Sequence, residues 1–339
     1  MIFRSSVLLI IFLLIMSYIS FENAEKLFSE DAKERFAYSW KESERIKDAI
    51  CKRLQLNCSD QKVTNIIMPP ETLAEYTEGI VYKDVEYGFQ EEQKLNIIIP
   101  LSIRAREKLP VFVFIHGGTW MAGTKDSIIY SQFAKEIIKN RCIFVTINYR
   151  LYPKVRFPEI LDDPAKALTW VFENISLYGG DPNQIILSGH SAGAHLASLL
   201  ISKNSPLPKE VYLSVKKAFL FSGPYDLPEY DASFDIKYKE VVKGVFLYLF
   251  GGRNNLQNIS PVYVAQKTHI DYLLVVGEKD EVTPPEQSEK YYQALKDKKN
   301  KVDLFILPNT GHGGTVFYLN SDFGFKTQLP VVARKFLEK

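Results

Sequence analysis

An α/β fold, with a mostly parallel sheet, helices on both faces and a small cap or lid, is predicted by three features of this chain. From residue 81 onward, apolar runs of strand length alternate with helical patterns, as they do when strands are joined by crossover helices. The run Leu109-Pro110-Val111-Phe112-Val113-Phe114-Ile115 is apolar almost throughout, as expected of a strand covered on both faces. Finally, Ile185-Ile186-Leu187-Ser188-Gly189-His190 leads through Ser191 directly into the Ala/Leu-rich pattern Ala192-Gly193-Ala194-His195-Leu196. That succession is a strand, a sharp turn and a helix.

The elements follow in chain order. Residues 1–24 carry one positive side chain, Arg4, then an apolar stretch over residues 7–19 broken by Ser17 and Tyr18, then Glu22-Asn23. This is the layout of a secretory signal peptide, with an uncleaved anchor in the endoplasmic reticulum membrane as the alternative. The apolar stretch falls short of the roughly 20 residues that a span needs. The chain is therefore expected in the secretory pathway, secreted or in the endoplasmic reticulum lumen, with any membrane contact made through this segment. Residues 25–80 are expected to be a helical N-terminal segment. Phe36, Trp40, Ile46, Ile50 and Leu54 form an apolar stripe among charges, suited to covering the core or, alternatively, to capping a site. Residues 81–339 form the α/β domain. Within it, 159–174 reads as a helix opening after Phe157-Pro158, and Asp181-Pro182-Asn183 reads as a turn. Residues 218–223, 271–277 and 302–307 read as strands. Residues 228–258 are long for a connection and contain the largely apolar run 241–250, so they are expected to form a lid-like insertion.

Composition narrows the function classes. The chain has 339 residues, 46% hydrophobic and 24% charged, which is ordinary for a globular enzyme. A net charge of +2, without a concentrated basic patch, argues against nucleic acid as a partner. The cysteine count is 3. Cys51 and Cys58 are close enough in sequence to bridge, whereas Cys142 opens an apolar strand and is expected to be a buried free thiol. Asn57-Cys58-Ser59, Asn174-Ile175-Ser176 and Asn258-Ile259-Ser260 match the glycosylation sequon. No His/Cys/Asp cluster has zinc-like spacing, so neither metal nor cofactor is expected.

The chemistry is expected at three places. Gly189-His190-Ser191-Ala192-Gly193 has the Gly-x-Ser-x-Gly form of a nucleophile elbow, in which the serine sits on a strained turn before a helix. The helix N-terminus then offers unpaired N–H groups to a developing oxyanion. His116-Gly117-Gly118 after the strand 109–115 is expected to form an oxyanion loop. Gly117 and Gly118 would supply one donor between them and the Ala192 N–H the other. In the C-terminal third, Asp280 follows one apolar strand and His312 lies in the Gly-rich loop after the next. The order Ser191, Asp280, His312 suits a nucleophile, an orienting acid and a base. The chain has 5 histidines. His116 and His190 belong to the two motifs, His195 follows Ser191 by one helical turn and is expected to hydrogen-bond within the fold, and His269 precedes a strand at the wrong end of the sheet. Glu278, Glu281 and Asp226 compete with Asp280 for the acid.

These residues carry a resemblance. Gly189 through His195, together with His116-Gly117-Gly118-Thr119-Trp120, resemble the kynurenine formamidase and carboxylesterase branch of the α/β-hydrolase superfamily, near the hormone-sensitive-lipase-like esterases. Tyr87-Gly88-Phe89 and Gln93 through Pro100 are similar to that branch's opening strands. Gly179-Gly180-Asp181-Pro182-Asn183 and the Ser-Ala-Gly-Ala-His run also resemble prenylcysteine methylesterases. The likeness extends from about residue 81 to the C-terminus. Thr119 stands where lipase-like members often carry a third glycine, which leans towards the formamidase-like branch and leaves the second oxyanion donor open. The resemblance implies the α/β-hydrolase fold and a serine hydrolase that cleaves a carboxylic ester or an aryl-formyl amide of a small molecule through an acyl-enzyme. The alternatives are a membrane-anchored prenylcysteine methylesterase and a non-catalytic binding module on the same fold.

Overall fold

The computed structural model describes residues 79–104, 106–230, 239–319 and 327–338. The chain enters as an antiparallel hairpin, β1 (Gly79–Glu86) and β2 (Lys94–Pro100), followed by β3 (Leu109–Ile115), α1 (Ile128–Lys139) and β4 (Ile143–Ile147). Then come α2 (Glu159–Asn174), β5 (Gly180–His190), α3 (Ala192–Leu200), α4 (Lys209–Ser214) and β6 (Val215–Phe221). The last third holds α5 (Lys239–Leu249), α6 (Pro261–Val264), β7 (Asp271–Gly277), α7 (Pro285–Asp297), β8 (Lys301–Leu307), α8 (Gly314–Phe317) and α9 (Leu329–Glu338).

Among the described residues the strands form one 8-stranded sheet in the order β1-β2-β4-β3-β5-β6-β7-β8. β2 runs antiparallel to both of its neighbours, and every pairing from β4 through β8 is parallel. Parallel neighbours need crossovers, and the helices that supply them cover both faces. Alternation along β3 divides the core. Val111, Val113 and Ile115 join the cluster that includes Leu168 of α2 and Leu196 of α3. Phe112 and Phe114 join Phe133 and Ile137 of α1 and Ala333 of α9. A strand buried on both faces needs apolar residues at every position, which is why this one lacks a polar/apolar alternation.

The expected strands at 109–115 and 271–277 and the helix at 159–174 are all present. Asp181-Pro182-Asn183 differs from expectation, since it lies within β5. Pairing passes from Leu109↔Gly180 directly to Val111↔Ile185, so extra residues of β5 bulge out of the ladder. Pro182 cannot donate to a ladder, and the Asn183 N–H turns back to Asp181 Oδ1 at 2.9 Å. The sequence signal for a turn is met locally, inside a strand.

Cys142 is a buried free thiol whose pKa burial pushes up to about 12. Residues 1–78 lie outside the described residues, and with them the signal or anchor segment, the helical stripe, Cys51, Cys58 and Asn57. No helix among the described residues is long and apolar enough to cross a membrane. Of the insertion at 228–258, α5 and the short turns Arg253–Asn255 and Gln257–Ile259 are described. α5 docks beside the loop after β3: Phe246 and Phe250 meet Trp120 edge-on, at ring separations of 6.2 and 4.9 Å.

Candidate active site

The C-terminal ends of β3, β5, β7 and β8 point to one edge of the sheet, where loops of parallel α/β sheets converge. His116, Ser191, Asp280 and His312 all follow those ends.

Ser191 joins β5 to α3 with φ +55° and ψ −123°. A non-glycine residue there stores about 1–3 kcal/mol of strain and persists only where its surroundings over-determine it. Two constraints do so. The Ser191 N–H donates to the Phe221 carbonyl at 2.9 Å. The flanking glycines allow backbones to meet: a Cβ on Gly189 would stand 2.4 Å from the Gly193 carbonyl carbon, and one on Gly193 only 2.0 Å from the Ile115 oxygen. The elbow is thereby wedged against the end of β3.

Asp280 and His312 are brought together. Nδ1 of His312 lies 3.0 and 2.9 Å from the two Asp280 carboxylate oxygens. The Asp280 side chain is fully buried, which demands that its charge be matched. The N–H groups of Val282 and Thr283 donate to Oδ1 at 3.0 and 2.8 Å, and the Thr283 hydroxyl lies 3.0 Å from Oδ2. Burial works against ionisation of Asp280, but the charge and hydrogen bond of His312 and the backbone donors outweigh it, so its pKa falls below the usual carboxylate value. Burial likewise works against protonation of His312, and the Asp280 carboxylate outweighs it, so the imidazole is raised above its ordinary value. A carboxylate-anchored Nδ1–H leaves Nε2 as the basic nitrogen.

The competing acids sit elsewhere. Asp226 Oδ2 faces Lys290 at 3.3 Å, while its backbone N–H binds Gln287. Glu278 accepts the Asn309 N–H. Glu281 adds to the negative field that raises His312. The other histidines are engaged with backbone. His195 Nε2 bonds the Ile259 carbonyl at 2.7 Å, His269 bonds the Val215 carbonyl at the opposite end of β6, and His116 Nδ1 bonds the Gly117 carbonyl at 2.7 Å. His116 is held by stacking on Tyr149, 4.4 Å away, and burial lowers its pKa to about 4. His190 lies against His312, with ring centres 4.6 Å apart.

Of the two glycines expected to supply one donor between them, Gly118 is left to do so, since the Gly117 N–H is bonded to the Tyr130 hydroxyl at 2.9 Å. Gly117 instead provides close approach, since a Cβ on it would lie 3.1 Å from Ser191 Cβ. Gly118 has φ +116°, and Thr119 and Trp120 follow at +54° and +60°. Among the described residues no hydrogen bond engages the N–H of Gly118, Thr119 or Ala192. Successive N–H groups in such a conformation form an anion-binding concavity.

Sequence reasoning passed over four side chains. Thr283 Oγ1 contacts the Ser222 carbonyl, Asp280 and, at 3.2 Å, His312 Nδ1. Its signal was available, because Asp-x-x-Thr places a hydroxyl and two N–H groups around one carboxylate. Ser222 and Thr315 form a hydroxyl chain to the His312 carbonyl, and Tyr130 anchors the glycine loop from α1. Those three depend on tertiary packing and leave no local pattern.

Residues 95–295 match the BD-FAE family. An isoprenylcysteine alpha-carbonyl methylesterase of Arabidopsis thaliana is 28% identical over 248 residues, covering 68% of this chain and 56% of that protein. Esterase LipQ of Mycobacterium tuberculosis is 30% identical over 237 residues, with 68% and 56% covered. A kynurenine formamidase of Salmo salar is 28% identical over 230 residues, with 68% and 74% covered. The chain thus spans little more than half the length of the first two. Among solved structures, a truncated carbohydrate esterase from gut microbiota aligns with a TM-score of 0.63 at 22% identity, over 78% of this chain and 97% of that one. A thermophilic esterase of Thermogutta terrifontis aligns at 0.60 and 19%, over 78% and 92%. These two likenesses concern the fold.

Proposed function

Because the chain belongs to the BD-FAE family of α/β hydrolases, we propose that it is an esterase-type serine hydrolase that cleaves a carboxylic ester or an aryl-formyl amide of a small molecule. Ser191 is the nucleophile, His312 the general base and Asp280 the acid that fixes the imidazole tautomer. The observation that carries this reading is the buried Asp280 carboxylate gripping Nδ1 of His312, whose loop meets His190, the residue that precedes the strained Ser191 elbow. His312 takes the Ser191 proton through Nε2 as Oγ attacks the carbonyl. The N–H groups of Ala192 and Gly118 receive the oxyanion, and loss of one such donor typically costs about 3 kcal/mol of transition-state stabilisation. His312 then protonates the leaving group, and water releases the acyl group.

The relatives divide the substrate question, since one is named for an isoprenylcysteine methyl ester and another for a formamide. A substrate panel on protein lacking residues 1–24 tests both. It comprises short and long p-nitrophenyl esters, N-formylkynurenine and a prenylcysteine methyl ester. We expect turnover of at least one class that vanishes in Ser191→Ala. Turnover surviving that substitution, or absent across the panel, counts against the assignment. The secretory location expected from residues 1–24 is part of the same proposal.

A further inference from the structure

We propose that His190 is a positioning residue: it donates Nε2–H to the backbone carbonyl of His312 and packs its ring against the His312 imidazole, so that the base is held in register with the adjacent nucleophile. The proposal rests on the reading of Ser191 and His312 as nucleophile and base.

The geometry is a bridge between three loops. His190 is the last residue of β5 and precedes Ser191, whose backbone is pinned by its bond to Phe221. Its Nε2 lies 3.1 Å from the His312 carbonyl oxygen, 122 residues away in sequence. A carbonyl only accepts, so Nε2 carries the proton and the tautomer is fixed. The two rings lie 4.6 Å apart at 44°. On its other side His190 meets the glycine loop, where a Cβ on Gly117 would stand 2.9 Å from the His190 carbonyl oxygen and 3.1 Å from Nδ1. The imidazole is therefore wedged between the loop that receives the oxyanion and the loop that carries the base.

A second tie reinforces the first. Thr315 Oγ1 donates to the same His312 carbonyl at 2.9 Å and receives the Ser222 hydroxyl at 3.2 Å. The carbonyl is thus held by donors from β5 and α8, while Asp280 orients the ring. The wedge works only as a neutral ring. Burial, and then the nearby His312, lower the pKa of His190 to about 3, so it stays uncharged wherever His312 acts as a base. A second imidazolium at this distance would oppose the one that forms on His312 during turnover.

The test uses the full chain and two substitutions. His190→Phe keeps a ring and removes the donor. His190→Gln keeps a side-chain N–H and removes the ring. On one good ester substrate we expect His190→Phe to lower kcat by roughly 10- to 100-fold with KM changed less than about threefold, as small misplacements of reacting groups do. His190→Gln should recover part of the loss, and both should melt within a few degrees of the parent. His190→Phe with undiminished kcat, alongside an inactive Ser191→Ala, overturns this inference alone. Activity in Ser191→Ala overturns the nucleophile reading and this inference with it. If neither His190 variant folds, ¹⁵N spectra of the parent protein decide. The His190 ring should carry its proton on Nε2 and stay neutral from about pH 5 to 8. A ring protonated on Nδ1, or titrating in that range, overturns the proposal.

Discussion

The carboxylate of Asp280 reaches Nδ1 of His312 with both oxygens, at 3.0 and 2.9 Å, while Asp226 turns its charge towards Lys290. Asp280→Asn should therefore leave substrate binding nearly unchanged and lower the rate severely. The analogous change in a serine-protease triad costs about 10⁴, because the imidazole is held in the wrong tautomer. Asp226→Asn should cost only a few-fold. The check is kcat/KM of both variants on one ester. A crippled Asp226→Asn beside a near-normal Asp280→Asn would put the acid on the wrong strand.

The same pair sets the pH dependence. As the proposed base, His312 must be neutral to accept a proton, so activity should fall as pH drops through its pKa. That pKa lies above the ordinary imidazole value because the Asp280 charge outweighs burial, and the acid limb of kcat/KM should lie correspondingly high. In Asp280→Asn the charge and hydrogen bond of that carboxylate are lost, leaving burial opposed only by the smaller field of Glu281, so the limb should move to lower pH. The stability signs are opposite for the two partners. The raised His312 contributes below its ordinary value and loses that contribution as pH rises through the folded pKa. The lowered Asp280 contributes above its ordinary value and loses that as pH falls through the folded pKa. An acid limb that stays put in Asp280→Asn would contradict the coupling.

The glycines give a stability test independent of chemistry. A Cβ on Gly193 would overlap the carbonyl oxygens of Ile115 and His116 at 2.0 and 2.6 Å. Neither backbone can retreat without opening the elbow. Gly193→Ala should lose more than about 4 kcal/mol, the range reserved for such clashes. Gly313 has nothing within 4 Å and φ −71°, so Gly313→Ala should be nearly neutral. Denaturant melts of the two variants decide it.

Much of this was legible in the chain because each feature had a local cause. Leu109–Ile115 is a strand covered on both faces, so its apolar run needed no partner to be read. The Ser191 elbow announced itself through Gly189 and Gly193, whose missing side chains are demanded by backbone contact. His312 stood out because few histidines exist and the others had evident places. What escaped was set by contacts distant in sequence. The Tyr130 hydroxyl takes the Gly117 N–H from the face of α1, and Thr283 and Thr315 pin the Asp280 and His312 loops from within. Asp181-Pro182-Asn183 reads correctly as a local turn, but its place in the sheet was not legible, because the bulge it forms lies inside β5.

The proposed secretory route gives a separate outcome. Asn258 is exposed, whereas the Asn174 amide nitrogen donates to the Trp170 carbonyl at 2.8 Å. If the chain enters the endoplasmic reticulum, Asn258 should be glycosylated in preference to Asn174. Glycosidase treatment followed by peptide mapping reads the difference. A chain found wholly in the cytosol with its first residues intact would contradict both the signal and the anchor reading.

The proposed chemistry stands or falls on Ser191 being a nucleophile activated by His312. The most direct measurement is labelling with a fluorophosphonate, followed by mass mapping of the modified peptide. One adduct is expected, on Ser191, formed by the parent protein, absent in Ser191→Ala and strongly slowed in His312→Ala, with all three proteins folded. A folded parent that stays unlabelled, or an adduct on another residue that persists in Ser191→Ala, would contradict it.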